Sequence, residues 1–131
     1  MTYVLDTNVA FEIAFQGPDS KKYKGLLEKA DSVLAPTLYE SEVTNTLLKY
    51  IKGGYIDIQN AKISLTLMLQ FIDIYTDTAE IAIETLSEAA RLNHSAYDIF
   101  YMVLARRNGA ILLTKDERLK RLALDCGVSV I

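Results

Sequence analysis

Short apolar runs alternate with longer amphipathic segments along the whole chain. The apolar runs are rich in β-branched and aromatic residues and are bounded by polar residues or glycine, which predicts strands. Because helical segments separate these runs, the chain is predicted to form an α/β fold with a parallel sheet and right-handed crossovers. The five predicted strands are Tyr3–Leu5, Ser32–Ala35, Ile72–Tyr75, Ala110–Leu113 and Val128–Ile131.

The segments between the strands carry apolar residues at helical spacing. The long helical stretch between the third and fourth strands indicates that the chain crosses there to the far side of the first strand. Strands one and four would then be neighbours at a switch point, where sheets of this class bind ligands. The predicted helices cover residues 9–15, 21–30, 36–52, 57–70, 78–92, 96–105 and 117–126.

Four acidic residues are positioned so that this topology brings them to one crevice. Asp6 and Asp116 follow strands one and four, and Asp98 begins the apolar helix that leads into strand four. Glu42 borders the apolar side of the helix after strand two. Simpler roles stay open, because Asp6 would also cap a helix and Asp98 would suit a helix N-terminus. Glu42 would equally pair with Lys49 on the helix surface.

Converging carboxylates repel one another and therefore require a cation. Oxygen ligands without nearby cysteine or histidine select Mg²⁺ or Mn²⁺ over Zn²⁺. Ions held in this way suit phosphodiester hydrolysis. Asn8 and Thr114 would orient a carboxylate, a bound water or a phosphate oxygen. His94, the only histidine, is predicted to lie in a loop or at a helix end, where it would at most help to orient substrate.

Basic residues that could contact phosphates cluster in the C-terminal third of the chain. Lys115 and Arg118 are the candidates for substrate binding. For most of these basic side chains, taken singly, a solvated helix face is the more ordinary position. The full set is Arg106, Arg107, Lys115, Arg118, Lys120 and Arg121.

Composition narrows the class of protein without naming a function. The 131 residues suit one domain, here residues 1–131, and 50% of them are hydrophobic, which is enough for a core. The net charge of −3 gives no global basic field for nucleic acid. The single cysteine, Cys126, excludes an internal disulfide framework. No signal peptide or membrane-spanning run is evident, so a cytoplasmic protein with no membrane partner is expected.

Four sequence segments together resemble the PIN-domain family and, within it, the VapC-type toxins of toxin–antitoxin pairs. They are Val4–Asn8, Glu42–Leu47, Tyr97–Asp98 with its apolar helix, and Leu112–Asp116. The resemblance implies a three-layer α/β/α fold with a five-stranded parallel sheet of order 3-2-1-4-5. It further implies a Mg²⁺-dependent ribonuclease, a homodimer, and inhibition by a small antitoxin that covers the active-site groove. The family's acidic site carries over to Asp6, Glu42, Asp98 and Asp116, with Asn8 and Thr114 in support.

Two other classes of function are compatible with a parallel sheet that carries acids at its strand ends. A phosphoaspartate receiver or a haloacid-dehalogenase-type phosphatase would use Mg²⁺ there. A receiver would use Asp77 after strand three, but it expects paired acids where only Asp6 is present, and the phosphatase expects an acid where Asn8 stands. The second alternative is a non-catalytic RNA-binding or protein-binding module, for which loss of the acids would be harmless or stabilising.

Overall fold

The computed structural model describes residues 1–131 and contains a four-stranded parallel sheet in the order β3-β2-β1-β4. The central strand β1 pairs with β2 on one side and with β4 on the other, so Val4 lies between Leu34 and Leu112. Strands one and four are therefore neighbours, as predicted. The strands are β1 (Thr2–Leu5), β2 (Ser32–Pro36), β3 (Ile74–Thr76) and β4 (Ile111–Leu113).

Seven helices connect and cover these strands. Helix α1 contacts α2, α3 and α4, and α3 packs against α4, whereas α5 and α7 pack against α6. Helix α6 also contacts β1, β2 and β4, and it carries six buried residues, as its apolar sequence predicted. The helices are α1 (Thr7–Ala14), α2 (Ser20–Glu28), α3 (Leu38–Lys52), α4 (Ile58–Gln70), α5 (Thr78–Leu92), α6 (Ala96–Asn108) and α7 (Glu117–Asp125).

The predicted fifth strand, Val128–Ile131, is wrong as a strand, and the order 3-2-1-4-5 is corrected to 3-2-1-4. This segment lies beside β4 but forms only one parallel bridge, between Leu112 and Val130. After α7 the backbone turns through Gly127, whose φ of +79° is costly for other residues. Leu112 N–H donates to Ser129 O at 2.9 Å and Ile131 N–H donates to Leu112 O at 3.0 Å, so the bonds centre on Leu112 and form one bridge instead of a ladder.

Several element boundaries also differ from the predictions, among them those at Pro36 and Ile74. Pro36 ends β2 instead of opening α3, because the sheet continues through Thr37, whose N–H donates to Thr76 O at 2.9 Å. The third strand begins at Ile74, two residues later than predicted. Before it, Asp73 and Val33 exchange bonds of 2.8 Å, in which Val33 N–H donates to the Asp73 carboxylate and Asp73 N–H donates to Val33 O.

Buried hydrophobic side chains from the sheet and from the helices on it form one continuous core. Val4 and Leu5 of β1 and Leu112 and Leu113 of β4 are fully buried, as expected for strands covered on both faces. Three polar residues are buried with them, and two of these, Asp6 and Thr114, directly follow β1 and β4. No helix in the structure is long and apolar enough to cross a membrane.

Candidate active site

A groove of about 620 Å³ lies at the carboxyl ends of β1 and β4. All four predicted acids line it, and they come from four different parts of the chain. The groove also contains hydroxyl, amide and aromatic side chains and one lysine, but no histidine or cysteine. The topology inferred from the sequence thus brings together the residues Asp6, Glu42, Asp98 and Asp116.

Asp6 is the most buried of the four acids, with 7% of its surface exposed. Both of its carboxylate oxygens are hydrogen-bonded. Oδ1 accepts from Thr7 N–H at 2.7 Å, so Asp6 is also the N-cap of α1. Oδ2 accepts from the Thr114 hydroxyl at 2.7 Å and from the Asn8 amide at 3.3 Å. The same side chain therefore caps α1 and lines the groove.

The pKa of Asp6 is raised from 3.8 to about 7, and burial is the largest cause. The hydrogen bond from Thr114 has the opposite effect and lowers this pKa. The negative charges of Glu42 and Asp98 raise it further. Desolvation disfavours the charged form of a carboxyl group, and nearby like charges add to that cost. Burial and the neighbouring carboxylates therefore make the charged form of Asp6 costly when no cation is present.

Thr114 and Asn8 join the ends of β1 and β4. The Thr114 hydroxyl accepts from Asn8 Nδ2 at 3.3 Å and from Asp116 N–H at 3.1 Å, while it donates to Asp6. Asn8 Oδ1 accepts from Lys115 N–H at 2.9 Å. These contacts fix the loop after β4 against Asp6.

Glu42 reaches the groove from α3 and does not pair with Lys49. Its Oε1 accepts from the Tyr101 hydroxyl at 2.5 Å and from the Thr7 hydroxyl at 3.4 Å. Burial raises the pKa of Glu42, and the two hydroxyl groups oppose that rise. Burial also raises the pKa of Tyr101, as do the charges of Glu42 and Asp6, so the phenol stays protonated and donates.

Asp98 lies in the first turn of α6, and its partner is His94 from the turn before the helix. His94 Nε2 is 2.8 Å from Asp98 Oδ2, and only 6% of the histidine side chain is exposed. His94 Nδ1 is buried and has no hydrogen-bond partner. His94, predicted only as a loop or helix-end residue, thus contacts one of the four acids.

Asp116 is the N-cap of α7, and its Oδ1 accepts from Leu119 N–H at 3.1 Å. Its second oxygen forms no hydrogen bond or ion pair, and the same is true of Glu42 Oε2 and Asp98 Oδ1. Three carboxylates of the groove thus keep one oxygen free of protein partners. Free oxygens on carboxylates that line a shared groove are suited to contact a cation.

The only lysine of the groove is held by a fifth acid. Lys115 Nζ is 2.9 Å from Oε1 of Glu12, and Glu12 Oε2 accepts from Asp19 N–H at 3.0 Å. This pairing lowers the pKa of Glu12 and raises that of Lys115. Gly17 leaves room for the Glu12 carboxylate, because a Cβ at that position would lie 2.0 Å from Oε1. Sequence reasoning missed Glu12, since nothing in its local pattern indicates this contact.

The other basic candidates lie outside the groove. Arg106 and Arg107 bind Glu84 of α5 at 2.7 and 2.6 Å, and Lys120 lies 3.5 Å from Glu117 within α7. Arg118 is exposed and forms no ion pair, so it remains free to contact a ligand near α7. Of the predicted basic rim, only Lys115 lines the groove.

The donors of the groove suit a hard divalent cation, since all of them are oxygen atoms of carboxylate, hydroxyl and amide groups. No group of three or more His, Cys, Asp or Glu side chains is arranged around one point to hold an ion. The carboxylates of the groove are thus not gathered around one point, and Mg²⁺ commonly binds through one or two protein carboxylates and several waters. Asp6, Glu42, Asp98 and Asp116 are the residues that would hold it.

The family model of the PIN domain matches residues 3–124 of this chain, which include all four acids of the groove. The chain belongs to the PIN domain family. PIN domains are generally nucleases that depend on divalent metal ions. The family resemblance stated from the sequence is therefore confirmed.

Solved structures share the fold of this PIN domain at low sequence identity. PAE2754 from Pyrobaculum aerophilum is 21% identical with a TM-score of 0.77, and the match covers 99% of this chain and 92% of that chain. VapBC2 from Rickettsia felis, bound to a DNA fragment from their promoter, is 16% identical with a TM-score of 0.71, covering 100% and 98%. FitAcB from Neisseria gonorrhoeae is 19% identical with a TM-score of 0.66, covering 98% and 96%. No curated protein sequence is similar enough to this chain to count as a match.

Proposed function

We propose that this PIN domain is a metal-dependent endoribonuclease that hydrolyses RNA phosphodiester bonds with Mg²⁺ or Mn²⁺. One observation carries the proposal. Four carboxylates from separate elements line one groove, and neither lysine nor arginine pairs with any of them. Excess negative charge at a strand-end crevice is what a divalent-cation site requires.

The proposal assigns a role to the four acids and to four polar or basic residues at or near the groove. Asp6, Glu42, Asp98 and Asp116 hold the metal, which when bound supplies Lewis acidity and an activated water for phosphodiester hydrolysis. Asn8 and Thr114 orient Asp6, as the bonds to its Oδ2 indicate. Lys115 at the groove and Arg118 on α7 contact phosphates of the RNA strand.

Cleavage of defined RNA oligonucleotides tests the proposal. Wild type is expected to cut RNA with Mg²⁺ or Mn²⁺ and to lose activity in EDTA, while Asp6→Asn and Asp98→Asn remain inactive. Asp57→Asn is the matched control, because Asp57 caps α4 away from the groove and asparagine caps equally well. Equal cleavage by wild type and Asp6→Asn would contradict the proposal, as would cleavage that persists in EDTA.

The receiver alternative gains no support from the geometry. Asp77, its candidate phosphate acceptor, caps α5 by accepting from Ala79 N–H at 3.0 Å and does not line the groove. A small phosphodonor that labels Asp77 or Asp6 would favour that alternative. We therefore retain the nuclease as the proposed function.

The same proposal includes a small antitoxin as the protein partner, as in a type II toxin–antitoxin system. A cavity of about 940 Å³ between α1, α2 and α4 supports it, because this cavity shares Gly17 with the groove. A partner seated on its apolar walls would reach the edge of the groove at Gly17. The walls include Ile13, Leu27, Leu67 and Phe71, with Lys21 and Lys24 at the edge.

Co-expression with a small protein encoded beside this chain tests the partner. The expected results are a stable complex and inhibited RNA cleavage, both weakened by Leu67→Glu, which puts a charge on an exposed apolar wall. The adjacent protein would be excluded as the antitoxin if it bound equally well to Leu67→Glu and wild type and left cleavage unchanged.

A homodimer is the proposed assembly. Helix α5 presents Ile83 and Leu86 with 85% and 69% of their surfaces exposed, and exposed apolar residues of this size suit an interface. Light scattering is expected to show a dimer for wild type and a monomer for the double variant Ile83→Glu, Leu86→Glu. If wild type and the double variant are both monomers or both dimers, the exposed face of α5 is not the dimer interface.

A further inference from the structure

Tyr101 connects two of the elements that build the groove. It lies on α6 one turn after Asp98, and only 1% of its surface is exposed. Its hydroxyl donates to Glu42 Oε1 on α3 at 2.5 Å, across 59 positions of the sequence. Helix α6 therefore provides one acid of the groove and also holds a second acid that belongs to another helix.

Thr7 completes this arrangement from the first turn of α1. Its hydroxyl is 3.2 Å from the Tyr101 oxygen and 3.4 Å from Glu42 Oε1. A carboxylate only accepts hydrogen bonds, so the single proton of the phenol is committed to Glu42. Both hydroxyl groups contact Oε1, and Oε2 has no protein partner. One oxygen of Glu42 is thus anchored while the other is left available to the groove.

We propose that Tyr101, assisted by Thr7, is a positioning residue that holds the Glu42 carboxylate in the groove so that Oε2 is available to a divalent cation. This inference rests on the proposed function, because it assigns the ion to the same groove. Tyr101 itself lines no part of the groove and acts only through Glu42.

Glu42 needs an anchor for a physical reason. Its side chain has three rotatable bonds, and the charges of Asp6 and Asp98 favour its movement away from the groove. An arginine or lysine would also anchor it but would neutralise the charge that attracts a cation. A phenol is a neutral donor, so it fixes the position of the carboxylate and preserves its negative charge.

The decisive variant is Tyr101→Phe, which removes the hydroxyl and keeps the ring. Mn²⁺ is titrated into the protein without RNA, and its affinity is obtained from the rise in melting temperature. We expect Mn²⁺ to bind at least about 10-fold more weakly to Tyr101→Phe, the lower end of the range for groups that orient a metal ligand. Unchanged Mn²⁺ affinity would overturn the inference, and so would a wild-type protein whose melting temperature does not respond to Mn²⁺.

Tyr39→Phe is the matched control. Tyr39 is fully buried, and its hydroxyl donates to Met68 O at 2.6 Å, outside the groove. Both variants lose one buried hydroxyl bond, so both are expected to melt at lower temperature in the absence of Mn²⁺. Only Tyr101→Phe should also lose Mn²⁺ affinity. An equal loss of affinity in both variants would show a general effect of destabilisation and would overturn the inference.

A double variant tests whether Tyr101 acts through Glu42. In a Glu42→Gln background, Tyr101→Phe is expected to cause no further loss of Mn²⁺ affinity, because the charged oxygen that it positions is gone. A further loss as large as in wild type would overturn the inference. RNA cleavage by the same proteins is measured separately. If the variants show the expected Mn²⁺ affinities but wild type does not cleave RNA, the nuclease proposal is contradicted and the role of Tyr101 is still supported.

Discussion

The groove and the interface between α5 and α6 use the same types of charged residue in opposite ways. At the interface, Glu84 and Glu88 bind Arg91, Arg106 and Arg107, with N–O distances of 2.6 to 3.3 Å. These contacts lower the pKa of both glutamates. We call this set the α5–α6 ion-pair cluster.

In the groove the balance is reversed. The pKa values of Asp6 and Glu42 are raised, burial being the largest cause, and neither side chain has a cationic partner. Acids that are matched within the protein stabilise its fold, whereas acids left unmatched in a concave site indicate a ligand of opposite charge. The comparison shows that charge compensation, not the number of acids, distinguishes the two regions.

Activity should separate the two regions most strongly. Asp6→Asn is expected to lower the rate of RNA cleavage more than about 1,000-fold, beyond the 10–100-fold typical of groups that only orient a metal ligand. Glu84→Gln, from the α5–α6 ion-pair cluster, should stay within about 2-fold of wild type, because it lies far from the groove and only removes a surface charge pair. The cleavage rates of both variants are measured as initial rates on one RNA oligonucleotide. Similar rates for Asp6→Asn and Glu84→Gln would contradict the functional difference between the groove and the α5–α6 ion-pair cluster.

The pH dependence of metal-free stability should differ in sign between the two regions. The pKa of Asp6 is raised in the folded state. The contribution of Asp6 to the free energy of unfolding is therefore full below about pH 4 and is lost as the pH rises through about 7. The change from 3.8 to about 7 corresponds to a loss of up to about 4 kcal/mol in the free energy of unfolding. Glu84 has the opposite pH dependence because its pKa is lowered in the folded state. Its contribution to the free energy of unfolding is lost as the pH falls below about 4.5.

Urea unfolding in EDTA from pH 3 to pH 8 measures this difference. Asp6→Asn should be more stable than wild type at pH 8. Its free energy of unfolding should also fall much less between pH 4 and pH 7 than that of wild type. A wild type and an Asp6→Asn variant with parallel pH profiles would show that the groove carries no uncompensated charge.

Divalent ions should stabilise the protein through the groove alone. At 100 times the dissociation constant, Mg²⁺ or Mn²⁺ is expected to add about 2.7 kcal/mol to the free energy of unfolding. The gain should be much smaller in Asp98→Asn and unchanged in Glu84→Gln. Thermal melts with and without the ion measure it, and an equal gain in Asp98→Asn would exclude Asp98 as a ligand.

The smallest effect is expected in the α5–α6 ion-pair cluster itself. Glu84→Gln removes the carboxylate that binds Arg106 and Arg107 and should lower the free energy of unfolding by up to about 1 kcal/mol, because the pair is partly exposed. Added salt should reduce that cost by screening. Urea unfolding at two salt concentrations measures it, and a stabilising effect of Glu84→Gln would mean that this cluster is also uncompensated.

The amino-acid sequence by itself determined the order of the elements and the position of the strand-end residues. Hydrophobic periodicity is a local property, so the runs at Tyr3–Leu5 and Ala110–Leu113 indicated strands directly. Parallel strands end at one edge of the sheet, which brings Asp6 and Asp116 together without knowledge of side-chain packing. The shortened third strand and the single bridge at Val130 were not predictable, because they depend on a few backbone bonds to neighbouring strands.

Only the tertiary structure decided which partner each charged or polar side chain has. Tyr101 and Glu42 are 59 positions apart and Lys115 and Glu12 are 103 apart, so their contacts follow from helix packing and not from local pattern. Helix packing likewise places Arg106 against Glu84 and outside the groove. Hydrogen bonds and ion pairs act over a few ångströms in space, and distance along the chain does not report that separation.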